Sequence, residues 1–155
     1  MVGVNRLSIF DFQFSIEQKL AIVDAVGRLY CQLEASLSSS PMPCKACGQC
    51  CDFESFGHRL FLTPPELIYF QAGLTQNNIP LLPMTTGVCP YRKDTKCSVY
   101  PWRFAGCRIF NCTGDADLQG KLSEQLIDQM KNLCRQYDLP YRYLDLKTAL
   151  NEVST

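Results

Sequence analysis

The sequence predicts a mainly α, small irregular α+β protein, with helices packed around a cysteine-rich, loop-rich metal-binding centre and little or no sheet. Three observations carry that expectation. Long stretches near both ends repeat apolar residues every three or four positions. The middle holds eight of the ten cysteines. The β-prone pieces between them, "SVY" and "RIF", are too short to build a large sheet. A chain of 155 residues that is 46% apolar can bury a real core, so one domain over 1–155 is expected.

The first helix is predicted over 15–37. Ile16, Leu20, Val23, Val26, Tyr30, Leu33 and Leu37 fall on one face, and Ser15 suits the N-cap. "SLSSSPMP" (36–43) then breaks the helix. A cysteine-cluster core is expected over 44–112. Inside it, "TPPELIYFQAG" (63–73) reads as a second helix. Thr63 caps it, Pro64 takes the first position, Glu66 completes a capping box and Gly73 closes it. "LTQNNIPLLPMTTG" (74–87) lacks a period and reads as a surface loop. A third helix is predicted over about 117–137, with Leu118, Leu122, Leu126, Met130, Leu133 and Tyr137 on one face and Thr113 or Asp115 as cap. A short final helix follows around 145–152.

The N-terminal stretch contains Asp11 and Glu17 and no long apolar run, unlike a secretory leader. No segment reaches the ~18 apolar residues of a membrane span. A cytoplasmic location is therefore expected, where thiols stay reduced and clustered cysteines serve as ligands or catalytic groups. Zero formal net charge and a pI near 6.5 do not favour nucleic acid or an anionic membrane as partner.

The cysteines form two quartets. Cys44, Cys47, Cys50 and Cys51 lie in "CKACGQCC"; Cys89, Cys97, Cys107 and Cys112 span "CPYRKDTKCSVYPWRFAGCRIFNC". C-x2-C presents two sulfurs to one centre around a turn, and Gly48 suits that turn. Extending it to C-x2-C-x2-C matches how three thiolates reach one iron-sulfur cube. Spacing alone does not separate zinc from iron, although the triple run leans to iron. Neighbours in extended chain project to opposite sides, so Cys50 and Cys51 are expected to serve different metal atoms. A disulfide framework is disfavoured without a leader. A thioredoxin-like pair is disfavoured because no helical pattern follows Cys47.

Cys31 and Cys134 sit within predicted helices and read as small buried hydrophobes. His58, the single histidine, reads as a surface residue or a support to a ligand. Between Cys44 and Cys112, seven basic and four acidic side chains leave +3. That sign suits thiolate ligation and equally suits solvated loops. No phosphate-binding glycine loop, dinucleotide fingerprint, H-E-x-x-H or G-x-S-x-G motif occurs.

"CKACGQCC", "LTPPE", "GVCPY", "KCSVYPWR" and "CRIFNC" together resemble the CxxCxxCC (YkgJ-type) family, described as zinc- or iron-chelating proteins. The resemblance spans Cys44 to Cys112. It implies that the eight cysteines of the two quartets chelate metal, as an iron-sulfur cluster or zinc. It departs from the family at "YPWRFAGC", where Pro101 precedes Arg103 instead of following an arginine. Related cysteine-rich regions in lysine methylases imply an enzyme as one alternative to an accessory or electron-transfer protein. A structural zinc module that binds another protein is a third.

Overall fold

A computed structural model describes residues 15–38, 51–56, 59–110 and 115–154. Six α-helices and two small two-stranded sheets occur among them: α1 (Ile16–Ser38), α2 (Phe53–Phe56), β1 (Phe61–Leu62), α3 (Pro64–Gln76), β2 (Arg92–Lys93), β3 (Lys96–Cys97), α4 (Ala105–Ile109), α5 (Ala116–Gln136), β4 (Leu144–Asp145) and α6 (Leu146–Val153). The expected mainly helical architecture is what forms. No helix of the described residues is long and apolar enough to cross a membrane.

Helix α3 is the axis of the molecule. Its sequence is apolar on every side, and such a helix must be covered on every side. Ile68 faces a first core made with Ile22, Val26, Tyr30 and Leu33 of α1 and Leu122, Leu126, Met130 and Leu133 of α5. Leu67, Phe70 and Leu74 face a second core made with Leu62, Met84, Tyr91, Val99, Phe104 and the α6 residues Leu146, Ala149 and Leu150. Phe70 joins that second core through ring contacts to Phe104 at 4.7 Å and Tyr91 at 5.4 Å.

The helix ends obey local chemistry. The Ser15 hydroxyl accepts the Gln18 N–H at 3.1 Å, while the Ser15 N–H reaches back to the Gln18 side chain at 3.2 Å. Asp115 caps α5 by accepting from Asp117 and Leu118, and Asp145 caps α6 by accepting from Thr148.

Helices α3 and α5 stop by the same device. Asn78 and Asp138 take left-handed φ values of 55° and 54°. The N–H groups of Ile79 and Leu139 then bond back to Leu74 and Cys134, while those of Asn78 and Asp138 bond to Thr75 and Arg135. Both are Schellman motifs, with an apolar contact across each and a proline directly after. Gly73 therefore does not close α3 as expected. It lies inside the helix, where a Cβ would come within 2.1 Å of the Trp102 ring.

Three further expectations are corrected. On α1 the buried stripe is Ile22, Ala25, Val26, Tyr30 and Leu33, while Ile16 and Leu20 are 79% and 59% exposed. Only the part of α1 that faces α3 and α5 buries its apolar side chains. "SVY" and "RIF" are not extended: Tyr100–Trp102 is a 3-10 turn, and Arg108 and Ile109 belong to α4. The strands lie elsewhere. β2 and β3 form a hairpin whose two-residue turn places Asp94 at φ 56°. β1 pairs with β4, Phe61 opposite Asp145 and Leu62 opposite Leu144.

The stretch after α3 is not a loose surface loop. Met84 is buried, and the Asn151 side chain holds its backbone on both sides, at 2.8 and 3.2 Å. The Tyr91 hydroxyl accepts from the Leu82 N–H and donates to the Pro80 carbonyl. Two polar side chains, through four hydrogen bonds, thus fix a segment that has no periodicity of its own.

Candidate metal centre

Of the eight candidate ligands, Cys51, Cys89, Cys97 and Cys107 are described. Cys44, Cys47, Cys50 and Cys112 lie outside the described residues, as does His58. The expected divergence of Cys50 and Cys51 therefore rests on the sequence alone.

The four described cysteines come from three separate pieces of chain, and Cys89, Cys97 and Cys107 share one core. The segment Cys51–Phe53 runs antiparallel to Gly87–Cys89. The Cys89 N–H donates to the Cys51 carbonyl at 2.9 Å, Asp52 bridges Val88, and the Phe53 N–H donates to Gly87 at 3.0 Å. The end of the first quartet thus lies directly across from the start of the second. A turn follows, in which the Arg92 N–H donates to the Cys89 carbonyl at 3.1 Å. The β2–β3 hairpin then sets Cys97 opposite Arg92. Cys107 sits in α4. Cys89, Cys97 and Cys107 are all partly buried against the second core, and Cys51 is buried.

Helix α4 is held by a residue remote in sequence. Glu66 is 3% exposed and accepts from the Thr63 N–H and hydroxyl, both at 2.8 Å, completing the capping box of α3. Its other oxygen accepts from the Ala105 N–H at 2.9 Å, which caps α4 in place of a local side chain, and from the Tyr30 hydroxyl at 3.5 Å. One carboxylate therefore ties α1, α3 and α4 together. Burial pushes its pKa up from the ordinary value against the pull of these donors. Burial, followed by the Glu66 charge, pushes the Tyr30 hydroxyl well above its usual range.

Two arginines flank Cys107. Arg103 donates to the carbonyls of Tyr100 and Cys107 and lies over the Tyr100 ring. Arg108 donates to the carbonyls of Arg103 and Pro101 and lies over Tyr30. Their side chains are 10% and 8% exposed, and both pair with Glu34. The tight order "YPWRFAGCR" places Arg103 at the end of the 3-10 turn and Arg108 in α4.

Near Cys51, Asp52 caps the short α2 through Ser55 and pairs with Arg92 at 3.8 Å. The Ser55 N–H and hydroxyl, then Arg92, hold its carboxyl below the usual range. The Arg92 Nε–H is buried without an acceptor among the described residues. A buried donor costs about 1–3 kcal/mol when unsatisfied. This one stands in the hairpin between Cys89 and Cys97, on the residue opposite Cys97. Cationic neighbours and an unused N–H donor fit a thiolate-rich centre. Among the described residues alone, no group of three or more His, Cys, Asp or Glu side chains could hold a metal ion. A complete centre would draw its remaining ligands from Cys44, Cys47, Cys50 and Cys112.

The two cysteines outside the quartets differ from each other. Cys134 is 2% exposed, and burial pushes its thiol up to about 11. Cys31 is exposed, contrary to expectation. It follows buried Tyr30 by one position, about 100° round the helix from the packed stripe. Brief iodoacetamide treatment of the native protein at pH 8 should label Cys31 and spare Cys134. The latter thiol holds roughly a hundredth or less of the thiolate of an ordinary one at that pH. Peptide mass mapping reads the result, and comparable labelling of both would contradict the packing of α5.

No family model, curated protein or solved structure matches this chain.

Proposed function

We propose that this is a metal-binding protein of the CxxCxxCC type, whose two cysteine quartets together chelate an iron-sulfur cluster or zinc, in an accessory or electron-transfer role. The observation that carries the reading is the backbone pairing of Cys51 with Cys89. It joins the two quartets at their facing ends, while Cys97 and Cys107 pack on the same core. When bound, an iron-sulfur cluster would supply one-electron transfer, and zinc would supply a closed structural tie. The chain's own residues do the rest. The second core fixes the cysteine-bearing turns, Arg103 and Arg108 offset negative charge beside Cys107, and Arg92 offers a hydrogen-bond donor between Cys89 and Cys97.

Anaerobic purification followed by metal analysis and visible absorption tests this reading. A brown protein containing iron and sulfide is the expected result, in keeping with C-x2-C-x2-C. A colourless protein with stoichiometric zinc would retain chelation and remove electron transfer. Protein free of both metals would overturn the reading. Cys89→Ser and Cys107→Ser should each release metal and abolish cooperative unfolding together, because ligation and folding share one free energy. Full metal content and unaltered unfolding in both variants would count against it.

A further inference from the structure

A cleft of about 300 Å³ opens beside the Cys51–Cys89 pairing, and the cysteine reading leaves it unused. Its floor is apolar and comes from four separate parts of the chain: Phe53, Leu60, Met84 and Leu146. The walls are already fixed. Leu146 N–H bonds to the Leu60 carbonyl at 2.8 Å, Asn151 clamps Met84, and Phe53 N–H bonds to Gly87. Its rim carries Glu54, Arg59, Lys147 and Asp145.

These rim charges differ in how they are used. Asp145 is engaged as the cap of α6. Glu54, Arg59 and Lys147 make no ion pair among the described residues. Glu54 is also laid down at the edge of the cleft. A Cβ on Gly87 would stand 2.7 Å from its Cβ and 3.0 Å from Oε2, so only glycine leaves this carboxylate its place. A preformed apolar floor ringed by unpaired charges of both signs is complementary to a small ligand with an apolar body and both charges. About 300 Å³ is at the lower end of ligand pockets, which limits the occupant to something of that size.

We propose that this cleft binds a free α-amino acid with an apolar or aromatic side chain. The side chain lies on Phe53, Leu60, Met84 and Leu146. The ammonium faces Glu54, and the carboxylate faces Arg59 and Lys147. The inference does not depend on metal ligation.

Calorimetric titration of the full chain at low ionic strength tests it, with L-phenylalanine, 3-phenylpropionate, phenethylamine and N-acetylphenylalanine amide as probes. Phenylalanine should bind one-to-one, and each analogue lacking a charge should bind about two- to five-fold more weakly per charge removed, the range of exposed ion pairs. Glu54→Gln should weaken phenylalanine and phenethylamine and leave 3-phenylpropionate unchanged. The double variant R59Q/K147Q should weaken phenylalanine and 3-phenylpropionate and leave phenethylamine unchanged. All three replaced residues are exposed, and circular dichroism verifies that each variant is folded. No binding of phenylalanine at ~10 mM, where even weak millimolar sites fill, would overturn the proposal. So would equal affinity for the analogues, or variants that bind every probe like the parent. Metal content is measured on the same samples. Metal-free protein that binds phenylalanine fails only the chelation reading; metal-loaded protein that does not bind it fails only this one.

Discussion

Glu66→Ala should lower unfolding stability by about 3–5 kcal/mol. Two backbone donors, on Thr63 and Ala105, and the Thr63 hydroxyl lose their acceptor at a residue that is only 3% exposed. Each stranded buried donor costs about 1–3 kcal/mol, against a total of about 5–15 kcal/mol for a typical domain. Urea unfolding followed by far-ultraviolet circular dichroism measures the loss, and a change below about 1 kcal/mol would show that Glu66 does not join the helices as described.

The same residue gives stability a pH dependence of definite sign. Burial raises the folded carboxyl above its ordinary 4.5. The folded state therefore holds that proton more tightly than the unfolded chain does. This contribution is fully present below 4.5 and is lost as pH rises through the raised value. Wild type should thus gain on Glu66→Gln under acid conditions and fall back relative to it at neutral pH. A wild-type-minus-variant difference independent of pH would refute the assignment.

Gly73→Ala should be destabilising although alanine is the better helix former. The new Cβ would lie 2.1 to 2.5 Å from three atoms of the Trp102 indole, which must leave its seat on α3. Overpacking of this kind costs about 1–3 kcal/mol, against about 1 kcal/mol of helix propensity gained. Trp102 is the only tryptophan, so its fluorescence reports the displacement directly. In a Trp102→Ala background the sign should invert, with Gly73→Ala neutral or stabilising. That reversal is the discriminating result. If Gly73→Ala costs the same with and without the indole, its cost does not come from Trp102.

The sequence made α1, α3, α5 and α6 legible because each carries its own signals, whereas the short α2 and α4 were not foreseen. Ser15, Thr63 with Glu66, Asp115 and Asp145 mark the starts, and periodic apolar residues mark the lengths. The end of α3 was misread because glycine is the commoner stop. The true signal was the recurrence of "QNNIP" and "QYDLP", with Asn78 and Asp138 in equivalent places before an apolar residue and proline. Two-residue strands are too short to show any period, so β1–β4 and β2–β3 had no local signature. The capping-box role of Glu66 was visible locally, whereas its bond to Ala105 depends on packing across 39 positions. In the same way, cysteine spacing suggested two quartets, and only the fold sets Cys51 against Cys89.

The pairing of β1 with β4 has a consequence for the order of events during synthesis. Leu146, Ala149 and Leu150 complete the core that backs Cys89, Cys97 and Cys107, and they are docked through Leu62 and Phe61. A ribosome adding about 5–20 residues per second takes roughly 2–9 s to travel from Cys107 to Leu150. Throughout that interval the thiols made early have no finished wall behind them. Their protection from oxidants and from stray metal ions therefore waits on α6, which is translated after all of them.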